Sequence, residues 1–297
     1  MRRICVIYNP VAQGGKAKRF LKHRDWFDHG TVFRPTDAPH AATRIAAEAI
    51  GEGFETIVAA GGDGTLNEVL NGFGLVEGGF KKARLAVIPL GTVNVFAKEL
   101  ALPSHLRRCW DVILRGKERL IDVGVAEFER DGQAQRRYFV QLGGAGLDAR
   151  AIELVDWEQK KKLLQFAYVI AGLKALREPL PEITCEADGQ VHRGQLVLFG
   201  NGKFYGGRLP IFPRAELADG LLHVCVFAKV NLWVAARYGL GFLTRSANPP
   251  ASVRYLQTQE FKLTCSTKTP FELEGDLAGH LPIRVKLHPE KLRVVCA

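Results

Sequence analysis

The chain has 297 residues, 47% of them apolar and 24% charged, with a formal net charge of +10. That composition excludes a disordered chain, and no apolar run reaches the roughly 20 residues that cross a bilayer as a helix. The length suits two domains, and the basic charge suits an anionic partner (membrane surface, nucleotide or nucleic acid) without choosing among them.

The opening Met1–Pro10 has the charged head of a signal peptide, but its apolar stretch is short and stops at Asn9-Pro10. It is predicted as a buried strand over Arg3–Tyr8. An Ala-rich helix is expected over Pro39–Ile50, a strand over Thr56–Ala60, a helix opening at Leu66–Asn71, a strand over Leu85–Pro89 and a helix over Val93–Leu100. Strands alternating with helices predict a parallel sheet covered on both faces, with ligands at the carboxyl ends of its strands. The character changes near Asp122. Val123–Phe128, Arg137–Gln141, Ile183–Ala187, Gln195–Gly200, Leu221–Phe227, Ser252–Leu256, Glu260–Cys265 and Ile283–Leu287 have strand patterns separated by Gly, Pro and Asp turns. They predict an antiparallel β-sandwich over 123–288 beside a nucleotide-binding α/β domain over 1–122. Helices are expected over Lys160–Leu176 and Leu232–Leu243, and the strand Leu292–Cys296, within 289–297, returns to the first domain. Cys5, Cys109, Cys185, Cys225, Cys265 and Cys296 are scattered with no Cys-x-x-Cys pair. They are expected to be small buried hydrophobes in a reducing cytosol, with no zinc site.

The segment Thr56-Ile57-Val58-Ala59-Ala60-Gly61-Gly62-Asp63-Gly64-Thr65-Leu66-Asn67-Glu68 carries the most chemistry. A buried strand enters a Gly-rich turn, and the turn opens a helix. Gly61, Gly62 and Gly64 can take positive φ and let backbone amides come close to a phosphate, beside the favourable helix N-terminus. Thr65 and Glu68 have capping-box spacing. Asp63 places a carboxylate among those amides and needs a cation or a hydrogen bond to compensate. No Gly-Lys-Ser/Thr follows, so this is not a Walker loop.

Gly61-Gly62-Asp63-Gly64-Thr65-Leu66-Asn67-Glu68-Val69-Leu70-Asn71-Gly72 resembles the nucleotide loop of the diacylglycerol kinase catalytic-domain family, which includes bacterial soluble lipid kinases and sphingosine and ceramide kinases. The resemblance runs along nearly the whole chain. Asn9-Pro10 with Gly14-Gly15-Lys16, Gly91-Thr92-Val93-Asn94, Gly144-Ala145-Gly146-Leu147-Asp148-Ala149 and Gly200-Asn201 through Asp219-Gly220-Leu221 are similar to successive family elements.

The resemblance implies an ATP-dependent, Mg²⁺-requiring lipid kinase with its site in a cleft between an α/β domain and a β-sandwich. It places ATP phosphates against Gly61, Gly62, Asp63, Gly64, Thr65, Leu66 and Asn67, with Asn9 and Thr92 at neighbouring strand ends. Thr36 is either a nucleotide contact or a plain cap of the Ala-rich helix, and Lys16 either neutralises phosphate or is a solvated lysine. Asp219 would be the side-chain ligand of Mg²⁺, with Glu216 and Leu221 contributing carbonyls; the other reading is a simple Asp-Gly turn before a strand. Glu274-Gly275-Asp276 stands where relatives carry Asp-Gly-Glu. In extended chain both carboxylates would face one side. Position favours Asp276 as the base for the lipid hydroxyl, with Glu274 as its substitute, and Asp63 completes the catalytic set. Val95 stands where many family members carry Asp.

The expected partner is a membrane lipid, met by transient contact at the inner face of the membrane from the cytoplasm. Lys160-Lys161-Lys162 and the aromatic residues Trp233, Tyr238 and Phe242 either touch that surface or serve packing. No nucleic-acid motif accompanies the charge. A soluble-substrate kinase of the NAD kinase type and a non-catalytic nucleotide- or lipid-binding regulator stay open as alternatives.

Overall fold

The fold is described from a computed structural model, covering residues 2–10, 15–27, 30–154, 174–176, 179–231 and 253–297. The chain divides into two compact units, Met1–Val123 with His288–Ala297, and Gly124–Leu287.

The first unit runs β1 (Ile4–Tyr8), α1 (Gly15–Lys22), β2 (Thr31–Pro35), α2 (Ala41–Gly51), β3 (Thr56–Gly61), α3 (Asp63–Gly74), the single turn α4 (Gly79–Lys82), β4 (Arg84–Pro89), α5 (Val95–Glu99), α6 (Leu106–Arg115) and β5 (Lys117–Ile121). The chain's last strand, β20 (Leu292–Cys296), joins it, giving the sheet order β2-β1-β3-β4-β20-β5. Every residue of β3 and β4 is buried. Their near-continuous apolar runs follow from helices on both faces of a parallel sheet. The sheet is mixed rather than wholly parallel, because β5 pairs antiparallel with β20. The sequence reading lacked both edge strands. β2 is only half buried and β5 exposes four of its five residues, so neither carries a long apolar run. In α6 the buried Cys109, Trp110 and Ile113 share one face, and Trp110 meets Phe27 edge-on at 4.6 Å.

The second unit runs β6 (Gly124–Arg130), β7 (Gln133–Phe139), β8 (Leu142–Gly146), α7 (Leu147–Glu153), β9 (Ile183–Ala187), β10 (Gln190–Gly194), β11 (Leu196–Gly200), β12 (Phe204–Tyr205), β13 (Leu209–Pro210), β14 (Leu222–Phe227), β15 (Val253–Thr258), β16 (Glu260–Cys265), β17 (Pro270–Leu273), β18 (Asp276–His280) and β19 (Ile283–Leu287). Two six-stranded sheets, β10-β9-β16-β19-β6-β7 and β15-β14-β11-β8-β17-β18, form a sandwich, and β12-β13 is a separate ribbon. Rings interlock between the sheets: Phe139 with Phe199 at 5.6 Å, Phe199 with Phe261 at 5.2 Å and Phe128 with Phe271 at 5.0 Å. Strand β14 shows how two faces are filled. Leu222, Val224 and Val226 enter the sandwich core, while Cys225 and Phe227 pack outward under Leu209, Ile211 and Phe212.

Strand β8 was missed because Gly143, Gly144 and Gly146 dilute its apolar signal. A Cβ on Gly143 would lie 2.5 Å from the Phe199 ring, so a neighbouring side chain fills the space that this glycine leaves. Cys265 and Cys296 are half-buried; the other four cysteines are buried as expected. The helix expected over Leu232–Leu243, with Trp233, Tyr238 and Phe242, lies outside the described residues. So does the helix expected from Lys160, save residues 174–176.

Candidate active site

Four strand ends meet along one edge of the first unit's sheet. Asn9 follows β1, Thr36 follows β2, Gly62 follows β3 and Leu90 follows β4. β1 lies between β2 and β3, so chain order reverses there, which is the switch point where doubly wound sheets hold ligands. Thr36 does not cap α2, whose N-cap is His40; its amide bonds the Tyr8 carbonyl at 2.9 Å.

The loops after β3 and β4 are fastened to each other. Leu90 N and Gly91 N both donate to the Gly61 carbonyl, at 2.9 and 3.2 Å. A Cβ on Gly91 would stand 2.5 Å from Gly62 Cα, and one on Gly61 would stand 2.4 Å from Thr65 Oγ1. Close approach is therefore what demands these glycines. None of Gly61, Gly62 and Gly64 uses the positive φ that glycine allows. Thr92 is exposed at the second loop's tip, and Lys16 is exposed on α1.

The expected capping box is absent: Gly62 is the N-cap of α3 and no side chain caps it. Glu68 instead turns to α2, its carboxylate accepting from His40 N and Ala42 N at 3.1 Å each. The first-turn amides of α3 thus stay open to an anion. Leu66 and Asn67 are buried, and Asn67 receives the Asn71 side-chain amide through its carbonyl at 2.8 Å. Asp63 resolves the conflict between its charge and a phosphate by turning to the second loop. Its Oδ1 accepts from Val95 N at 2.8 Å, and the Phe96 and Asn94 amides also bond the carboxylate. Burial still pushes the Asp63 carboxyl above its ordinary value, outweighing those amides.

In the second unit, Glu274-Gly275 is a two-residue hairpin turn between β17 and β18, not extended chain. Both residues have positive φ, 55° and 86°, and Leu273 pairs with Asp276. The two acids therefore do not line one side of a strand. Glu274 Oε1 accepts from Val140 N and Gln141 N at 2.8 Å each, whereas Asp276 is exposed. Asp219 closes its own turn. Oδ1 accepts from Leu221 N at 3.0 Å, and Oδ2 accepts from Glu216 N at 3.1 Å and faces His223 Nε2 at 2.9 Å. Among the described residues, no group of three or more His, Cys, Asp or Glu converges on a metal position. A hard cation at this turn fits only the remaining lone pair of Oδ1 together with backbone carbonyls.

Two acids shielded from water, one buried and one half-buried, escaped the sequence reading as site residues. Glu272 on β17 and Asp148 on α7 flank Gly144 with Oε1 and Oδ2, and Tyr205 Oη donates to Asp148 Oδ1. The available signal was an acid inside the apolar run Pro270–Leu273, with Gly144 four residues before Asp148.

Comparison with known proteins agrees with both units. The family model described as the diacylglycerol kinase catalytic domain matches residues 3–126, and the one described as the YegS C-terminal NAD kinase beta sandwich-like domain matches residues 142–296. The chain is 30% identical to the diacylglycerol kinase of Bacillus subtilis (strain 168) over 290 residues, covering 95% of this chain and 92% of that relative. It is also 30% identical to the diacylglycerol kinase of Staphylococcus carnosus over 312 residues, covering 97% and 94%. The crystal structure of a diacylglycerol kinase from Bacillus anthracis shares the fold, with a TM-score of 0.73 at 20% identity over 100% of this chain and 97% of that one. With relatives of one kind along nearly the whole chain, the chain belongs to the diacylglycerol kinase catalytic-domain family and is a lipid kinase.

Proposed function

We propose that the chain transfers the γ-phosphate of ATP to a hydroxyl of a membrane lipid, diacylglycerol or a related lipid alcohol. ATP phosphates lie on the amides of Gly61, Gly62, Asp63, Gly64 and Thr65, at the head of the helix that buries Leu66 and Asn67. Asn9, Thr36 and Thr92 supply polar contacts from the adjoining strand ends. The observation that carries this reading is the uncapped first turn of α3 at the sheet's switch point. There, orphan N–H groups and the helix dipole favour phosphate. Asp63 keeps the Asn94–Phe96 amides in place and so fixes the second loop.

Asp276 takes the proton from the lipid hydroxyl. Its exposure supports this role, while Glu274 is engaged by two backbone amides and supports the turn. Mg²⁺ accompanies the ATP phosphates and offsets their charge. A second Mg²⁺ would be held at the turn of Asp219, through its carboxylate and the carbonyls of Glu216 and Leu221, where it would fix the turn. The lipid is met by transient contact from the cytoplasmic side.

The test offers purified protein and radiolabelled ATP–Mg²⁺ both diacylglycerol vesicles and NAD. Label is expected in the lipid; label in NAD alone, or in neither, overturns the reading. Asp276→Ala is expected to lose at least ~100-fold in kcat, and an unchanged kcat removes Asp276 from its role. Mg²⁺ without nucleotide is expected to raise the melting temperature of the wild type and not of Asp219→Ala.

A further inference from the structure

Glu272 is buried, and Asp148 is half-buried with its Oδ2 out of water, in a chain where most acids lie at the surface. Glu272 Oε2 accepts from Gly275 N at 2.6 Å, the amide inside the hairpin turn that joins Glu274 to Asp276. Asp148 Oδ1 accepts from the Tyr205 hydroxyl. The remaining oxygens, Glu272 Oε1 and Asp148 Oδ2, are shielded from water, receive no donor and both lie beside Gly144. A Cβ on that glycine would lie 2.4 Å from Asp148 Oδ2 and 3.2 Å from Glu272 Oε1. Two bare carboxylate oxygens facing each other out of water repel, whereas one proton between them makes a hydrogen bond.

We propose that Glu272 and Asp148 share one proton, and that the hydrogen-bonded pair so formed positions the Glu274–Gly275 turn. Glu272 holds the proton on Oε1 and donates it to Asp148 Oδ2, leaving Oε2 to receive the Gly275 amide. Burial first, and the Asp148 charge second, push the Glu272 carboxyl well above the ordinary range, consistent with the proton resting there. Among the described residues, no cationic side chain bonds either oxygen in its place. β8 has no titratable side chain. On α7, Arg150 pairs with Glu153 at 2.9 Å, and His280 of β18 stands 4.0 Å from Glu153. The other acids nearby are Glu274 and Asp276 in and after the turn, and Tyr205 is the hydroxyl donor. Glu272 and Asp148 are thus positioning residues for the hairpin. Their part in catalysis rests on the reading of Asp276 as the proton acceptor.

The sign of the pH dependence is fixed. An acid whose value is raised in the folded state contributes stability that is full below its unfolded value of about 4.3 and fades as pH rises toward the folded value. Glu272→Gln keeps an oxygen for Gly275 and gains a permanent donor toward Asp148, so it removes that fading. The test follows thermal unfolding of the full chain from pH 5 to 8 and hydrogen exchange of the Gly275 amide. The melting temperature of Glu272→Gln minus that of the wild type is expected to rise by at least about 3 °C across this range. Gly275 is expected to stay protected in Glu272→Gln and to lose at least ~10-fold of its protection in Glu272→Ala. Parallel melting curves for wild type and Glu272→Gln overturn the shared proton. Wild-type protection in Glu272→Ala overturns the positioning role. If Glu272→Ala does not fold, Asp148→Asn serves, with the Gly275 amide expected to keep its protection and the pH trend to flatten as in Glu272→Gln. A wild type that phosphorylates no lipid would defeat the reading of the reaction, yet both readouts would still decide the pair.

Discussion

Gly91→Ala tests whether two glycine loops abut backbone to backbone. The added Cβ would stand 2.5 Å from Gly62 Cα and 2.8 Å from Asn94 Oδ1. Carbon atoms in contact sit about 3.5–4.0 Å apart, so the loops must part by about 1 Å or more. Neither obstacle yields easily. Gly62 is backbone, and the Asn94 side chain is held by its own bond to the Gly91 carbonyl at 2.6 Å. Forced overpacking of this kind costs about 1–3 kcal/mol, or a fall of roughly 3–15 °C in melting temperature for a unit of this size. Displacing the proposed phosphate loop by about 1 Å is expected to lower lipid phosphorylation by on the order of 10²-fold. The assay pairs thermal melting with initial rates at saturating lipid and varied ATP. Gly51→Ala is the control: nothing lies within 4 Å of its Cβ and it ends α2, so it should be neutral or slightly stabilising. Wild-type melting and wild-type kcat/KM for ATP in Gly91→Ala would refute the close approach.

Two further substitutions follow from the same unit. Glu68→Ala removes both acceptors from the start of α2 and should destabilise by about 0.5–2 kcal/mol in urea unfolding, with Glu68→Gln recovering part of it; no loss would mean α2 needs no cap from α3. Asp63→Ala strands the Asn94–Phe96 amides, so it should lower stability by about 2–3 kcal/mol as well as abolish transfer; intact stability in chemical denaturation would detach Asp63 from the second loop.

The fold was legible wherever a strand or helix has a strong apolar signature. Ile183–Ala187, Glu260–Cys265, Ile283–Leu287 and Leu292–Cys296 fall on the expected residues because each carries several apolar side chains between turn residues. β2 and β5 were hidden by edge exposure, and β8 by its glycines. β17 and β18 were hidden because Glu274 and Gly275 make a two-residue turn, where chain reversal leaves no stretch long enough to register. In the candidate site, the order of motifs along the chain was legible but the direction of side chains was not. Capping-box spacing predicted that Glu68 would serve its own helix, yet packing of α2 against α3 offers it two open amides instead. Asp63 looked like a problem for phosphate binding, and only the neighbouring loop reveals where its charge is spent. Glu272 gave no sign beyond being an acid among apolar neighbours, since its partner Asp148 lies more than a hundred residues away.

The most direct measurement is an ATP–Mg²⁺ titration of the ¹⁵N-labelled protein followed by backbone amide shifts. The largest changes are predicted at Gly61, Gly62, Asp63, Gly64 and Thr65, with a second group at Gly91–Val95. Saturating shifts confined to other strand ends or to the sandwich, with these amides unmoved, would contradict the assignment of the phosphate loop.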